Sequence, residues 1–138
     1  MTFKLDQRLE ISSESIINLQ FADIRLSNNA LIPWLLMIPK TDKTEWFELD
    51  CELQNKLNQV INTLSKYLKE IEKVDKVNLA IIGNVVSQMH IHLVGRYKDD
   101  FCWPDVIWGK SDFKSYKNDE KEKRKGLILN YLKETLFT

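Results

Sequence analysis

The stretch "SQMHIHLVGRY", residues 87–97, contains both histidines of the chain, two positions apart in an otherwise apolar run. In an extended strand, side chains at positions i and i+2 point to the same face. The spacing therefore predicts a strand on which Gln88, His90 and His92 share one face, while the apolar residues between them point into a core. This alternation is typical of a half-buried strand whose polar face is left for chemistry.

Two further strands are predicted upstream of this stretch. "FADIRLS" (residues 21–27) is followed by the turn signal "NNA", and "LIPWLLMIPK" (residues 31–40) comes next. We expect Asn28 and Asn29 to lie in the hairpin that joins them. The second strand is apolar almost throughout and has a proline near each end, which predicts burial on both faces in the middle of a sheet.

The clearest helical signature runs from Asp50 to Ile71, where apolar residues recur at intervals of three and four. "KVNLAIIGN" (residues 76–84) then predicts a strand, joined tightly to residues 87–97 through Gly83 and Asn84. Residues 4–18 predict only a short helix or an irregular lead-in.

A charged run at residues 118–126 predicts a solvated helical turn, because acidic and basic residues alternate in it. It leads into a predicted C-terminal helix at residues 127–137. No repeat or linker divides the chain. The order strands, helix, strands, helix predicts a single α+β domain over residues 1–138, with an antiparallel sheet, one long helix packed on it and a C-terminal helix.

Composition excludes several classes of partner. Lys plus Arg and Asp plus Glu both number 20, so no global charge attracts nucleic acid or an anionic membrane. The longest apolar run has ten residues and contains two prolines, whereas a membrane helix needs roughly twenty apolar residues. The two cysteines follow no disulfide or zinc pattern, and the N-terminus lacks signal-peptide features, so we expect a cytoplasmic protein.

The motif "QMHIHLV" (residues 88–94) resembles the signature of the histidine triad (HIT) superfamily of nucleotide hydrolases and transferases, in which three histidines alternate with apolar residues on one strand. Gln88 stands at the first of the three positions. Gly83 and Asn84 before the motif, Arg96 after it, and an upstream strand that ends in "IPK" extend the resemblance. It implies a HIT-like fold.

The longer stretch "GNVVSQMHIHLVGRYKDDFCWPDVIWG" (residues 83–109) resembles a bacterial branch of small HIT proteins, related to diadenosine tetraphosphate hydrolases, that have Gln at the first triad position and a Trp-Pro loop after the strand. The resemblance also implies a homodimer, no cofactor and no metal ion bound by protein ligands.

The resemblance implies a catalytic role for each of the three triad positions. His90, at the middle position, would be the nucleophile; a neutral imidazole, with a pKa of about 6.5, offers a lone pair near pH 7. His92 would donate a hydrogen bond to a phosphate oxygen. Gln88 can donate a hydrogen bond through its amide, but it cannot transfer a proton as an imidazolium can.

The same resemblance implies substrate-binding roles outside the triad. Asn84 would contact phosphate, Asn28 or Asn29 a ribose hydroxyl, and Arg96 a phosphate group. Each has an alternative explanation, because the three asparagines are also ordinary turn residues and a strand-end arginine is commonly a solvated charge.

We therefore expect a hydrolase or nucleotidyl transferase that acts on nucleoside 5'-phosphate derivatives, either a dinucleoside polyphosphate such as diadenosine tetraphosphate or a nucleoside phosphoramidate, through a covalent nucleotidyl-His90 intermediate. The alternative is a nucleotide-binding module with little turnover, because Gln88 replaces an acid. Two histidines on a strand are also compatible with a plain polar face. A zinc site would need further ligands for which the sequence offers little support.

Overall fold

A computed structural model describes residues 2–137. In chain order the elements are α1 (Gln7–Ser12), β1 (Ser13–Asn18), β2 (Ala22–Ser27), β3 (Trp34–Pro39), a short 3-10 helix (Trp46–Glu48), α2 (Cys51–Glu70), β4 (Lys76–Ile81), β5 (Ile91–Arg96) and α3 (Asn118–Thr135). The five strands form one antiparallel sheet with the order β1-β2-β3-β5-β4. This confirms the predicted α+β fold with one long helix and a C-terminal helix.

One face of the sheet is covered by α2. Asp50 caps this helix, because its carboxylate accepts a hydrogen bond from the backbone N–H of Leu53 at 2.8 Å. The predicted apolar stripe of α2 is buried against apolar side chains of the central strands, and removing that surface from water drives the packing. The fully buried helix residues are Leu57, Val60, Leu64, Tyr67 and Leu68.

The opposite face of the sheet carries His92, because successive residues of β5 alternate between faces. Two segments cover this face on either side of the histidines. The N-terminal segment, residues 2–12, packs Leu9 of α1 against Ile38 of β3. The loop of residues 97–117, which links β5 to α3, packs Ile107 against Val94 of β5.

The prediction of a strand over residues 87–97 was wrong at its N-terminal end. β5 begins at Ile91 and β4 ends at Ile81, so residues 82–90 form a long connection and not a tight turn. The physical reason lies in the N-terminal segment: the side-chain amide of Gln88 bonds to the backbone of Lys4 and Asp6. Residues before Ile91 are thus held by a segment other than β4.

Residues 4–18 form more structure than the sequence predicted, since they contain both α1 and the edge strand β1. The register of β1 against β2 shifts between Ser15 and Ile17. An irregularity of this kind breaks the two-residue alternation by which a strand is recognised. At the other end, the charged run 118–126 is helical as predicted and is continuous with the C-terminal helix. None of the helices within residues 2–137 has the length and apolar character that crossing a membrane requires.

Two glycines give a matched test of the packing. A Cβ at Gly95 in β5 would lie 2.4 Å from Cγ1 of Val74 and 2.8 Å from Cγ of Pro33. We expect Gly95→Ala to lower the free energy of unfolding by about 1–3 kcal/mol, because the closely packed side chains of Val74 and Pro33 must move to make room for the Cβ. The control is Gly126→Ala in α3, where a Cβ meets nothing within 4 Å; we expect it to stabilise by up to about 1 kcal/mol. Urea denaturation measures both, and equal effects would contradict this packing.

Candidate active site

The two imidazoles lie side by side on the face of the sheet opposite α2. Their ring centroids are 5.0 Å apart and the ring planes are inclined by 70°. His92 belongs to β5, and His90 immediately precedes that strand. Both residues are buried, with 7% and 8% of their surface exposed. The structure thus brings together the two histidines that the sequence singled out.

His90 is oriented by the backbone. Its Nδ1 lies 2.7 Å from the carbonyl oxygen of Gln88. Because a carbonyl oxygen can only accept, Nδ1 of His90 carries the hydrogen in this bond. In the neutral ring, the lone pair is then on Nε2.

His92 is oriented by a side chain. Nε1 of Trp34 donates a hydrogen bond to Nδ1 of His92 at 3.0 Å. An indole N–H can only donate, so Nδ1 of His92 is unprotonated and the hydrogen of the neutral ring is on Nε2. The indole of Trp108 packs edge-on against the same imidazole, with the ring centroids 5.4 Å apart.

The two rings therefore offer opposite functions at Nε2, a lone pair on His90 and an N–H on His92. Neither Nε2 has a hydrogen-bond partner within residues 2–137. Neither is among the fully buried polar atoms that lack a partner in this part of the chain, so both keep contact with solvent. A nucleophile next to a hydrogen-bond donor suits attack on phosphorus, where negative charge grows on the oxygens.

Burial, the larger cause, and the closeness of the His90 imidazole together lower the pKa of His92 to about 4. At pH 7 the ring of His92 is therefore neutral. It donates a hydrogen bond without carrying a positive charge.

The side chain of Gln88 points to the N-terminal segment. Its Oε1 accepts from the backbone N–H of Asp6 at 2.8 Å, and its Nε2 donates to the carbonyl oxygen of Lys4 at 2.9 Å. Both ends of the amide are thus occupied. The contact of Gln88 with His90 is made by the backbone carbonyl and not by the side chain.

Asn28 and Asn29 line a cleft of about 390 Å³ that Trp34 also lines. Asn28 donates to the carbonyl of Ile11 at 2.9 Å and accepts from Nζ of Lys121 at 3.2 Å. Asn29 is buried; its Oδ1 accepts from two backbone N–H groups and its Nδ2 donates to a backbone carbonyl. Both asparagines thus hold the chain around the cleft.

Asn84 lies in the connection between β4 and β5, where it is exposed and makes no hydrogen bond with the described part of the chain. Its amide is therefore free for a ligand.

Arg96 is 1% exposed, so the alternative of a solvated charge was wrong. Its guanidinium donates to both carboxylate oxygens of Asp100, from Nε at 2.8 Å and from Nη2 at 3.0 Å. A third hydrogen bond, of 3.1 Å, goes to Oδ1 of Asn78. The structure places Arg96 at the end of β5, four residues beyond His92, where it ties the loop of residues 97–117 to the sheet.

Sequence reasoning missed Trp34. Its contact with His92 follows from the pairing of β3 with β5, in which Leu36 is the partner of His92 and Trp34 the partner of Val94. Trp34 is thus a diagonal neighbour of His92 on the same face. The available signal was a residue with a polar tip in a strand predicted to be buried on both faces, since a buried indole N–H usually finds an acceptor.

Within residues 2–137, no group of three His, Cys, Asp or Glu side chains is arranged to hold a metal ion.

Comparison with known proteins identifies the family to which this fold belongs. Residues 8–99 match the model of the HIT domain, and the chain belongs to this family. A comparison with curated proteins finds no match.

Solved structures agree with this assignment. A histidine triad protein from Bradyrhizobium japonicum is 32% identical, covers 94% of this chain and 97% of its own, and superposes with a TM-score of 0.89. One from Sinorhizobium meliloti is also 32% identical, with coverages of 95% and 98% and a TM-score of 0.90. A diadenosine triphosphate hydrolase from Plasmodium falciparum shares the fold at 20% identity, with coverages of 95% and 80% and a TM-score of 0.65.

The lowered pKa of His92 predicts a pH dependence of stability. An unfolded His92 has a pKa of about 6.5, so between roughly pH 4 and pH 6.5 the unfolded chain binds more protons than the folded one. The free energy of unfolding therefore rises with pH through this window. We expect His92→Phe to lose this contribution, so that its stability relative to wild type improves as the pH falls from about 7 to about 5. Urea denaturation at both pH values measures the difference, and a pH-independent difference would contradict the assignment.

Proposed function

We propose that this protein is a nucleotide hydrolase or nucleotidyl transferase that acts on nucleoside 5'-phosphate derivatives through a covalent nucleotidyl-His90 intermediate. The observation that carries the proposal is the pair of Nε2 atoms, one a lone pair and one an N–H, on rings 5.0 Å apart. Membership of the HIT domain family supports it. So does the shared fold of the Plasmodium falciparum diadenosine triphosphate hydrolase.

The reaction proceeds in two displacements. In the first, Nε2 of His90 attacks the phosphorus attached to the 5'-oxygen, a P–N bond forms, and the bond from phosphorus to the leaving group breaks with its electron pair on the leaving group. His92 donates from Nε2 to an oxygen of the phosphoryl group, where charge accumulates. In the second, water or another acceptor attacks phosphorus, a P–O bond forms, and the P–N bond breaks with its electron pair on Nε2 of His90. When water attacks, its proton passes to solvent, a nucleoside 5'-monophosphate is released and the Nε2 lone pair of His90 is restored.

The cleft beside Trp34 is the proposed place of the nucleoside. Trp34 lines this cleft and is hydrogen-bonded to His92, so the cleft lies next to the histidine pair. Asn28 and Asn29 also line it. The free amide of Asn84 is proposed to contact phosphate. The guanidinium of Arg96 is engaged by Asp100 and Asn78, so we assign it to holding the loop and not to phosphate.

One observation favours the second candidate, a nucleotide-binding module with little turnover. Both ends of the Gln88 amide bond to the backbone of the N-terminal segment, and an amide has no proton to transfer to a departing group. The two candidates share the pocket and differ in the rate of the chemical step.

The test uses purified protein with diadenosine tetraphosphate, adenosine phosphoramidate and ADP, with products separated by chromatography. We expect the wild type to release AMP and His90→Ala to lose at least about 10³-fold in kcat, because the nucleophile is gone. Ser87→Ala is the matched control, since this exposed side chain makes no hydrogen bond with residues 2–137; it should retain full activity. Tight AMP binding without turnover of any substrate would establish the binding module, and equal activity of His90→Ala would refute both.

We also propose a homodimer that forms through β4. This strand is an edge of the sheet, and it exposes 51% of Leu79 and 44% of Ile81, with Val85 80% exposed just beyond. Unpaired edges with apolar side chains favour association with another strand. Separately, we propose the cytoplasmic location that the sequence predicts.

Light scattering tests the dimer. We expect Leu79→Glu to yield a monomer, because the charge would be buried in the interface. Phe137→Glu is the control; Phe137 is 46% exposed and lines a cleft with Leu19 and Phe21, near the opposite edge of the sheet. A wild type that is monomeric, or a Leu79→Glu variant that stays dimeric, would contradict this interface.

A further inference from the structure

Two tryptophans contact His92, but only one of them forms a hydrogen bond with it. The Nε1–H of Trp34 is bonded to Nδ1 of His92 at 3.0 Å. The Nε1–H of Trp108 is buried and has no partner within residues 2–137, although its ring lies against the same imidazole. One indole therefore fixes the hydrogen-bonding state of His92, and the other only packs on it.

We propose that Trp34 is a positioning residue that holds His92 as a neutral Nε2–H donor, so that the site gives no proton to the leaving group and favours groups that depart as stable anions. This inference rests on the proposed function, because it names the substrate class that the same site accepts. It goes beyond that function in assigning the selection to a residue outside the triad positions.

The geometry of the Trp34 bond disfavours protonation of His92. Protonation of His92 at Nδ1 would set an N–H against the Nε1–H of Trp34, and a donor facing a donor forms no hydrogen bond. The imidazolium thus forfeits a bond that the neutral ring keeps. His90 is the titratable group that lies against His92, and burial and the closeness of this second imidazole both lower the pKa of His92 as well. The ring therefore serves as a donor to phosphate oxygen and not as an acid.

Gln88 provides no alternative acid. An amide has no proton to transfer at neutral pH, and both ends of this one are bonded to the backbone of the N-terminal segment. The proton on Nδ1 of His90 is held by the Gln88 carbonyl, on the side of the ring away from the attacking Nε2.

The chemical consequence concerns the bond that breaks. A dinucleoside polyphosphate releases a nucleotide whose phosphate takes the electron pair as an anion and needs no proton. An amine or alkoxide leaving group must take a proton as it departs, and none of Gln88, His90 and His92 is placed to supply one. Rates without general acid assistance depend steeply on the basicity of the leaving group. The site is thus expected to turn over dinucleoside polyphosphates faster than phosphoramidates.

The role of Trp34 is tested by nitrogen NMR of the histidine rings in the protein without ligand, which makes the test independent of turnover. In wild type we expect Nδ1 of His92 to be unprotonated and Nε2 to carry the hydrogen. Trp34→Phe keeps an aromatic ring but removes the donor; we expect a mixture of tautomers and a higher pKa of His92. Trp108→Phe removes an N–H that has no partner, and it should leave the tautomer unchanged. A hydrogen on Nδ1 in wild type, or equal spectra for the two variants, would overturn the proposal.

Ligand binding links the tautomer to the site. We expect Trp34→Phe to weaken AMP binding roughly tenfold relative to wild type while its affinity for adenosine changes little, because only AMP has the phosphate that His92 contacts. Equal losses for AMP and adenosine would show that Trp34 only shapes the cleft, and would overturn the positioning role.

Selection of the leaving group is tested with aryl esters of AMP. With wild type, kcat/KM should fall by roughly a hundredfold from the 4-nitrophenyl ester to the phenyl ester, because no proton reaches the departing oxygen. Comparable rates for the two esters would show a proton donor in the site and would overturn the proposal. If no ester or nucleotide is turned over while the NMR and AMP results are as expected, Trp34 positions His92 for binding alone: the leaving-group selection and the proposed hydrolase both fall, and the binding module remains.

Discussion

The pairing of β5 with β3 in the middle of the sheet is the constraint on which the rest of the structure depends. It sets His92 opposite Leu36 and brings Trp34 within hydrogen-bond distance on the same face. The same register sends the alternate residues Ile91 and Leu93 into the core beneath α2. A one-residue slip would exchange the two faces, so the hydrophobic core and the orientation of the His92 ring are specified together.

Residues that the family pattern presents as functional also hold the site in place. The side chain of Gln88 ties the N-terminal segment to the end of the β4–β5 connection, while its carbonyl orients His90. Arg96 and Asp100 tie the long loop to β5 through an ion pair whose side chains are 2% and 3% exposed. Burial raises the pKa of Asp100, but the bonds from Arg96 and from backbone N–H groups outweigh it and hold that pKa below its ordinary value. Breaking such a buried pair costs far more than breaking one at the surface.

The sequence allowed the fold class, the long helix and the histidine pair to be predicted, because each rests on a local period or a short motif. The predicted strand at residues 21–27 and the predicted helix from Asp50 to Ile71 were confirmed, and each predicted end lies no more than one residue from the observed end. β1 was missed because its register shift hides the alternation.

The orientation of the histidines was beyond local patterns. The bond from Trp34 joins residues 58 positions apart, and the two hydrogen bonds of Gln88 span more than 80 positions. Contacts of this range depend on which strands pair and in which register, and side-chain period alone does not encode that. For the same reason, the sequence placed Gln88 beside the histidines, whereas the fold turns its side chain toward the N-terminal segment.

We propose that Nε2 of His90 is the nucleophile, and trapping the covalent intermediate is the decisive experiment. Protein mixed rapidly with adenosine phosphoramidate or diadenosine tetraphosphate is quenched in alkali, where a P–N bond to histidine survives, and its intact mass and modified peptide are measured. We expect an adenylyl group on His90, absent in His90→Ala and present in Ser87→Ala. An adduct on His92, or turnover through which no adduct forms on either histidine, would contradict it.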